Sequence, residues 1–198
     1  DHTCFEPLDV RKMTLMEKKS VMLMSAYLTE KRDGTIKRRS VFNGKPTREW
    51  LSKEDNASPT VSLESLFLTA MIDADEDRDV MSSDIPNAFI QALMPHIEGE
   101  DRVTMKITGV LVDILLKISP ETYKDYVVIE KGNKVLYVQV LQVIYGMLQA
   151  ALLWYKTFRK DLEENGFAFN PYDPCVANKE INGNQMTIRF NVDDLMSS

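Results

Sequence analysis

Thr187-Ile188-Arg189-Phe190-Asn191-Val192-Asp193-Asp194-Leu195-Met196 alternates apolar residues, meets two adjacent carboxylates, and at once turns apolar again. That pattern predicts a strand, a tight turn carrying both aspartates, and the start of a returning strand. Neighbouring acids repel each other, so holding them near a core is costly unless cations neutralise them. Taken alone, the pair also reads as a polar surface turn. The rest of the chain has to decide between these readings.

The chain has 198 residues and 44% hydrophobic content, enough for one sizeable domain or two small ones. No signal-peptide pattern and no apolar run near about 18 residues is present, so an intracellular protein without a membrane span is expected. Cys4 and Cys175 lie far apart without metal-binding spacing and read as plain intracellular thiols. His2 and His96 are isolated and take no role. The net charge of −6 argues against a nucleic-acid partner, but its distribution argues otherwise. Lys31, Arg32, Lys37, Arg38, Arg39, Lys45 and Arg48 face one acid, Asp33, so residues 31–48 carry about +6 and the remainder about −12. Such a segment is either a solvated loop or a polyanion contact.

Taken in order, Thr14-Leu15-Met16-Glu17 has capping-box spacing and predicts a helix start. Met22 to Glu30 reads as a strand, and Asp33-Gly34 as a hairpin turn. Residues 43–60 read as an irregular connection. Leu63, Leu66, Phe67, Ala70, Met71 and Ala74 share one face of a helix over 61–75, which predicts that this face packs. A strand ending at Asp84, a short helical segment over 86–92, a strand from Arg102 to Ile107 and a helix from Val110 to Ile118 follow. Val127–Glu130 and Val135–Val140 form a hairpin. A helix from about Gln149 to Asn165 ends at Gly166, and Asn182-Gly183 joins two last strands. The expected class is α+β, with helices on one face of a mostly antiparallel sheet.

Asp73, Asp75, Asp77, Asp79 and Asp84 match calcium-loop positions, but Arg78 stands where that loop needs Gly, and Asp84 where it needs a bidentate Glu. A solvated acidic helix end is the simpler reading. Asp84, Asp193 and Asp194 are different, because all three fall at strand ends. Oxygen ligands of this kind suit magnesium, and a pair of such ions supports in-line phosphoryl displacement.

Ser83-Asp84-Ile85-Pro86-Asn87-Ala88-Phe89-Ile90-Gln91-Ala92 resembles the first catalytic-Asp motif of copia-type retrotransposon reverse transcriptases. Ile144-Tyr145-Gly146-Met147-Leu148-Gln149-Ala150 with Trp154-Tyr155, then Gly166-Phe167, Asp173-Pro174-Cys175-Val176 and Asn191-Val192-Asp193-Asp194, resemble the next blocks in the family's order. Lys31-Arg32-Asp33-Gly34-Thr35-Ile36-Lys37 resembles the fingers hairpin. The resemblance spans about residues 20–198. It implies a right-hand polymerase with fingers over about 1–78 and 93–150 and palm over about 79–92 and 151–198. It also implies RNA-directed DNA polymerase activity: Asp84, Asp193 and Asp194 would hold two magnesium ions (or manganese) while a primer 3′-hydroxyl attacks a deoxynucleoside triphosphate on an RNA or DNA template. Lys31 and Arg39 would contact the triphosphate, and Phe89 would exclude a ribose 2′-hydroxyl. Tyr145, Gly146 and Gln149 would lie near the nascent pair and template, with Met147 and Leu148 as core.

The chain departs from the family at Asn191, where Tyr is usual, at Leu148 for Lys and at Ala151 for Pro. It carries no thumb, ribonuclease H or integrase segment, and it stops four residues after Asp194, in the returning strand. An unpaired last strand is therefore expected, and the chain reads as a fragment of a polyprotein or a decayed genomic copy. In the latter case only nucleotide or nucleic-acid binding would remain.

Overall fold

The computed structural model describes residues 3–44, 56–96 and 102–198. His2, Lys45 and Arg48, the Arg38 side chain and most of the connection expected over 43–60 lie outside that description. In chain order the elements are β1 (Phe5–Pro7), a 3-10 turn (Val10–Lys12), α1 (Leu15–Ser20), β2 (Met22–Glu30), β3 (Ile36–Phe42), α2 (Leu63–Asp75), β4 (Met81–Asp84), α3 (Ala88–Gln91) and β5 (Thr104–Thr108). They continue with α4 (Val110–Ile118), α5 (Pro120–Tyr123), a second 3-10 turn (Lys124–Tyr126), β6 (Val127–Glu130), β7 (Asn133–Val140), α6 (Ala150–Glu164), β8 (Ala168–Phe169), β9 (Val176–Ile181), β10 (Asn184–Asn191) and β11 (Asp194–Ser197). The class is α+β with largely antiparallel sheets, and there are two sheets where one was expected. Among the described residues no helix is long and apolar enough to cross a membrane.

The turns follow from local chemistry. Lys131-Gly132 and Asn182-Gly183 take positive φ at both turn positions, which suits the twist of the strands they join. At the Asp33-Gly34 turn the Asp33 carboxylate accepts from the Thr35 amide at 3.0 Å and the Thr35 hydroxyl at 2.6 Å. Thr14 and Glu17 cap α1 reciprocally, as their spacing predicts.

Two compact units result: Asp1–Lys53 with Phe89–Ala150, and Glu54–Ala88 with Ala151–Ser198. The first unit holds a six-stranded sheet in the order β1-β7-β5-β2-β3, with β6 beside β7. Only β2 and β5 run parallel in it. Met22, Phe42, Met105, Ile107, Leu136, Val138 and Ile144 are among its core residues. The partly buried Met147 packs against them, the role its sequence predicts.

The second unit holds an antiparallel sheet in the order β4-β11-β10-β9-β8. β11 is hydrogen-bonded on both edges, to β10 and to β4, so the last strand is not the unpaired one expected. Ile188 and Phe190 face α6, where Phe158 meets Phe190 edge-on at 5.0 Å. Arg189 and Thr187 alternate onto the other face. There the Arg189 guanidinium bonds Asp73 of α2 at 2.5 Å, both side chains being buried. Helices therefore meet both faces of this sheet.

The orientation of α2 reverses the expectation. Leu63, Phe67 and Met71 are each at least 64% exposed, whereas Ser65, Thr69 and Asp73 turn inward. Polar tethers explain this. Ser62 caps the helix and donates from both its amide and its hydroxyl to Asp173, at 2.9 Å each, while Asp73 anchors the other end. The ion pair at Asp73 also removes the first ligand of the calcium-loop reading, and α2 runs helically through Asp75.

Burial alone pushes the Asp73 carboxyl up, but hydrogen bonding, including that of Arg189, and the charge of Arg78 hold it below the usual carboxylate range. A carboxyl whose folded pKa is depressed adds stability above its unfolded pKa and loses it as pH falls through the folded value. Asp73→Ala is expected to cost about 3–5 kcal/mol in urea unfolding at neutral pH, because it strands a buried guanidinium. The double variant Asp73→Leu/Arg189→Met is expected to recover most of that loss.

Candidate functional site

The carboxylates lie in the second unit. β10 and β11 form a hairpin whose two-residue turn is Val192-Asp193, with Asn191 opposite Asp194. The turn thus carries one of the two aspartates, and Asp194 opens the next strand. β11 then pairs with β4 in a register that sets Asp194 directly opposite Asp84. Residues so paired share one face of the sheet with Cβ atoms about 4.5–5.5 Å apart, and like charges placed there destabilise it. Beside them the Ile85 amide donates to the Asp193 carbonyl at 2.9 Å, tying the turn to the strand that ends at Asp84.

All three carboxylates are exposed. Among the described residues no cation pairs with any of them. Nor does any group of three or more His, Cys, Asp or Glu side chains there converge closely enough to hold a metal ion. A magnesium ion nevertheless keeps several waters and takes only one or two protein carboxylates. An unpaired, all-oxygen, like-charged pair fits such an ion in chemistry and register, with the Asp193 carboxylate one residue away on the turn.

The turn itself is strained. Val192 has φ 59, the left-handed region, in which a β-branched residue is an outlier. Positive φ at the first turn residue only is the type II′ pattern, which ordinarily takes Gly. Such a residue costs about 1–3 kcal/mol and persists where its surroundings hold it. Trp154 of α6 supplies a hold: its indole N–H donates to the Val192 carbonyl at 2.7 Å. In the sequence Trp154 stands out only through the resemblance; its own signal is a large aromatic with one polar atom, four residues before Phe158 in the same helix.

The remaining predicted residues lie in the first unit. Three of them come together there: the Arg39 guanidinium lies over the Tyr145 ring at 5.3 Å, and Phe89 meets the same ring at 5.9 Å. Tyr145 is half exposed. Neither Lys31, at the end of the β2–β3 hairpin, nor the half-buried Gln149 is joined to that trio by a hydrogen bond, ion pair or ring contact among the described residues. Gly146 has φ 96, and a Cβ there would overlap the Phe42 carbonyl oxygen. The Phe42 amide in turn donates to the Tyr145 carbonyl at 2.8 Å, so backbone approach requires glycine. The thiol of Cys175 is fully buried, and burial pushes its pKa up to about 12, which leaves it unreactive.

Gly146→Ala is expected to destabilise the first unit by about 2–4 kcal/mol, combining overpacking with a left-handed backbone, as read by denaturant unfolding. Asp84→Asn is expected to act the other way. Without divalent cations and at low salt it adds about 0.2–1 kcal/mol of stability, read as a higher thermal midpoint, because one like charge is gone. Added Mg²⁺ or Mn²⁺ then raises the midpoint of the native sequence more than that of the variant.

Neither a scan of protein-family models nor a search of curated proteins gives a match for this chain.

Proposed function

We propose that this chain is the fingers-and-palm part of a copia-type RNA-directed DNA polymerase, transferring nucleotides from deoxynucleoside triphosphates to a primer 3′-hydroxyl. The observation that supports it best is the register that opposes Asp84 to Asp194 beside the Asp193 turn. Those three residues would hold two magnesium ions, with manganese as a substitute. Bound there, such cations stabilise the attacking and leaving oxygens of an in-line displacement. The chain's own contribution is to hold carboxylate oxygens at fixed places on a strand end and a turn.

In the first unit the cationic side chains suit a triphosphate. Lys31 and Arg39 would neutralise triphosphate oxygens by charge-assisted hydrogen bonds. The aromatic pair Phe89 and Tyr145 offers flat apolar surface of the kind a sugar or base packs against. Template and primer are the macromolecular partners on this reading, and the thumb, ribonuclease H and integrase of a polyprotein are its further parts.

A second reading, nucleotide or nucleic-acid binding without catalysis, has its own support. Asn191 rather than an aromatic stands opposite Asp194.

Primer extension on an RNA template with Mg²⁺ or Mn²⁺, with a family thumb supplied, separates the two. Extension should appear and fall by at least about a hundredfold in Asp193→Asn, the scale of losing a key electrostatic group. Extension untouched by that change overturns the assignment. Binding that weakens with salt and with Lys31→Ala or Arg39→Ala, with no extension under any condition, establishes the second reading.

A further inference from the structure

We infer that Trp154 is a positioning residue for the carboxylate turn: its indole N–H fixes the central peptide of the Val192-Asp193 turn and so sets where the Asp193 carboxylate stands. The inference rests on the reading of Asp84, Asp193 and Asp194 as cation ligands, and it extends that reading to a residue that is not itself a ligand.

The bond at 2.7 Å falls on the Val192 carbonyl, which belongs to the peptide between the two turn residues. That peptide decides the turn type. Type II′ has positive φ at the first residue only, whereas a flip of the central peptide gives type I′, with positive φ at both. Asp tolerates the left-handed region well and Val poorly. Left to local preference, the turn would therefore gain little by holding Val192 at φ 59 with Asp193 outside that region. A donor fixed on the carbonyl resists the flip and keeps the Asp193 Cα–Cβ bond in one direction.

Trp154 can act in this way because it is itself buried and packed. It is 2% exposed, stacks on Phe158 at 5.3 Å, and Phe158 packs edge-on against Phe190, two residues before Val192. The donor and the turn are thus built on one aromatic cluster. An indole N–H can only donate, and when buried it requires an acceptor. The second turn carbonyl, of Asp193, accepts from the Ile85 amide at 2.9 Å, so a shift of Asp193 disturbs that bond too. Loss of the indole bond should therefore appear at Ile85 as well.

The test compares the full chain with Trp154→Phe, Val192→Gly and the double variant. Val192→Gly is informative because glycine at the first position favours type II′ without any external hold. Binding of Mn²⁺, followed by loss of the free-ion electron paramagnetic resonance signal, should weaken at least tenfold in Trp154→Phe. It should return to within threefold of the native value when Val192→Gly is added. A residue that merely fills the core would show no such rescue, and absence of rescue overturns the inference.

Hydrogen exchange at the Ile85 amide, read without any cation, judges the positioning independently. Protection should drop at least tenfold in Trp154→Phe and recover in the double variant, and unchanged protection overturns the proposal. A native chain that binds no Mn²⁺ overturns the cation reading instead, and the exchange result then decides the role of Trp154. Should Trp154→Phe fail to fold, β-(3-benzothienyl)alanine at that position keeps the ring size, lacks the N–H and gives the same comparison.

Discussion

β11 is four residues long and is hydrogen-bonded along both edges, to β10 on one side and β4 on the other. Much in the second unit depends on that double pairing. It brings residues 84 and 194, far apart in the chain, into direct opposition. Among the described residues it also makes β4 an edge strand and sets the Ile85 amide against the Val192-Asp193 turn. A slip of one residue would send Asp84 and Asp194 to opposite faces, since side chains alternate along a strand. Phe190 and Leu195 on the α6 side oppose such a slip, because the slip would move both off the aromatic cluster. Arg189 opposes it from the other face through its bond to Asp73.

The elements that were legible in the sequence are those with strong local signals. Capping at Thr14 and Glu17, the Asn182-Gly183 turn and the α6 helix with its stop at Gly166 each arise from chemistry within a few residues. What was not legible depends on partners distant in the chain. The stripe of Leu63, Phe67 and Met71 predicts a packed face, yet α2 is held by Asp173 and Arg189, more than 100 residues away, and turns its polar side in. A charged residue amid the alternation of Thr187, Ile188 and Phe190 was a sign that something acidic had to meet it. Periodicity could not say that the partner was Asp73.

The candidate site divides in the same way. The three aspartates are readable as strand-end acids, and the expectation that both Asp193 and Asp194 lie on the turn misses by one residue. That difference matters physically. A turn residue is free to change its backbone, whereas Asp194 is held by pairing on both sides. Of the two adjacent acids, only Asp193 needs an external hold. The strain at Val192 could not be read from composition, because valine there argues against the conformation it adopts.

Magnitudes indicate what this arrangement costs the fold. The left-handed Val192 carries about 1–3 kcal/mol and an opposed like-charge pair up to about 1 kcal/mol. Against a typical domain stability of about 5–15 kcal/mol, that is a sizeable fraction concentrated at one turn. Each part is removable by a single substitution, to glycine at 192 or asparagine at 84, so nothing in the sheet demands it. A ligand present at a hundred times its dissociation constant returns about 2.7 kcal/mol to the folded state. A cation bound between the carboxylates, as proposed, would thus supply a stabilisation of the same size as the cost and would act on the charge term directly. The strain at Val192 is not relieved by charge neutralisation, which is why a separate contact, the Trp154 indole, has to carry it.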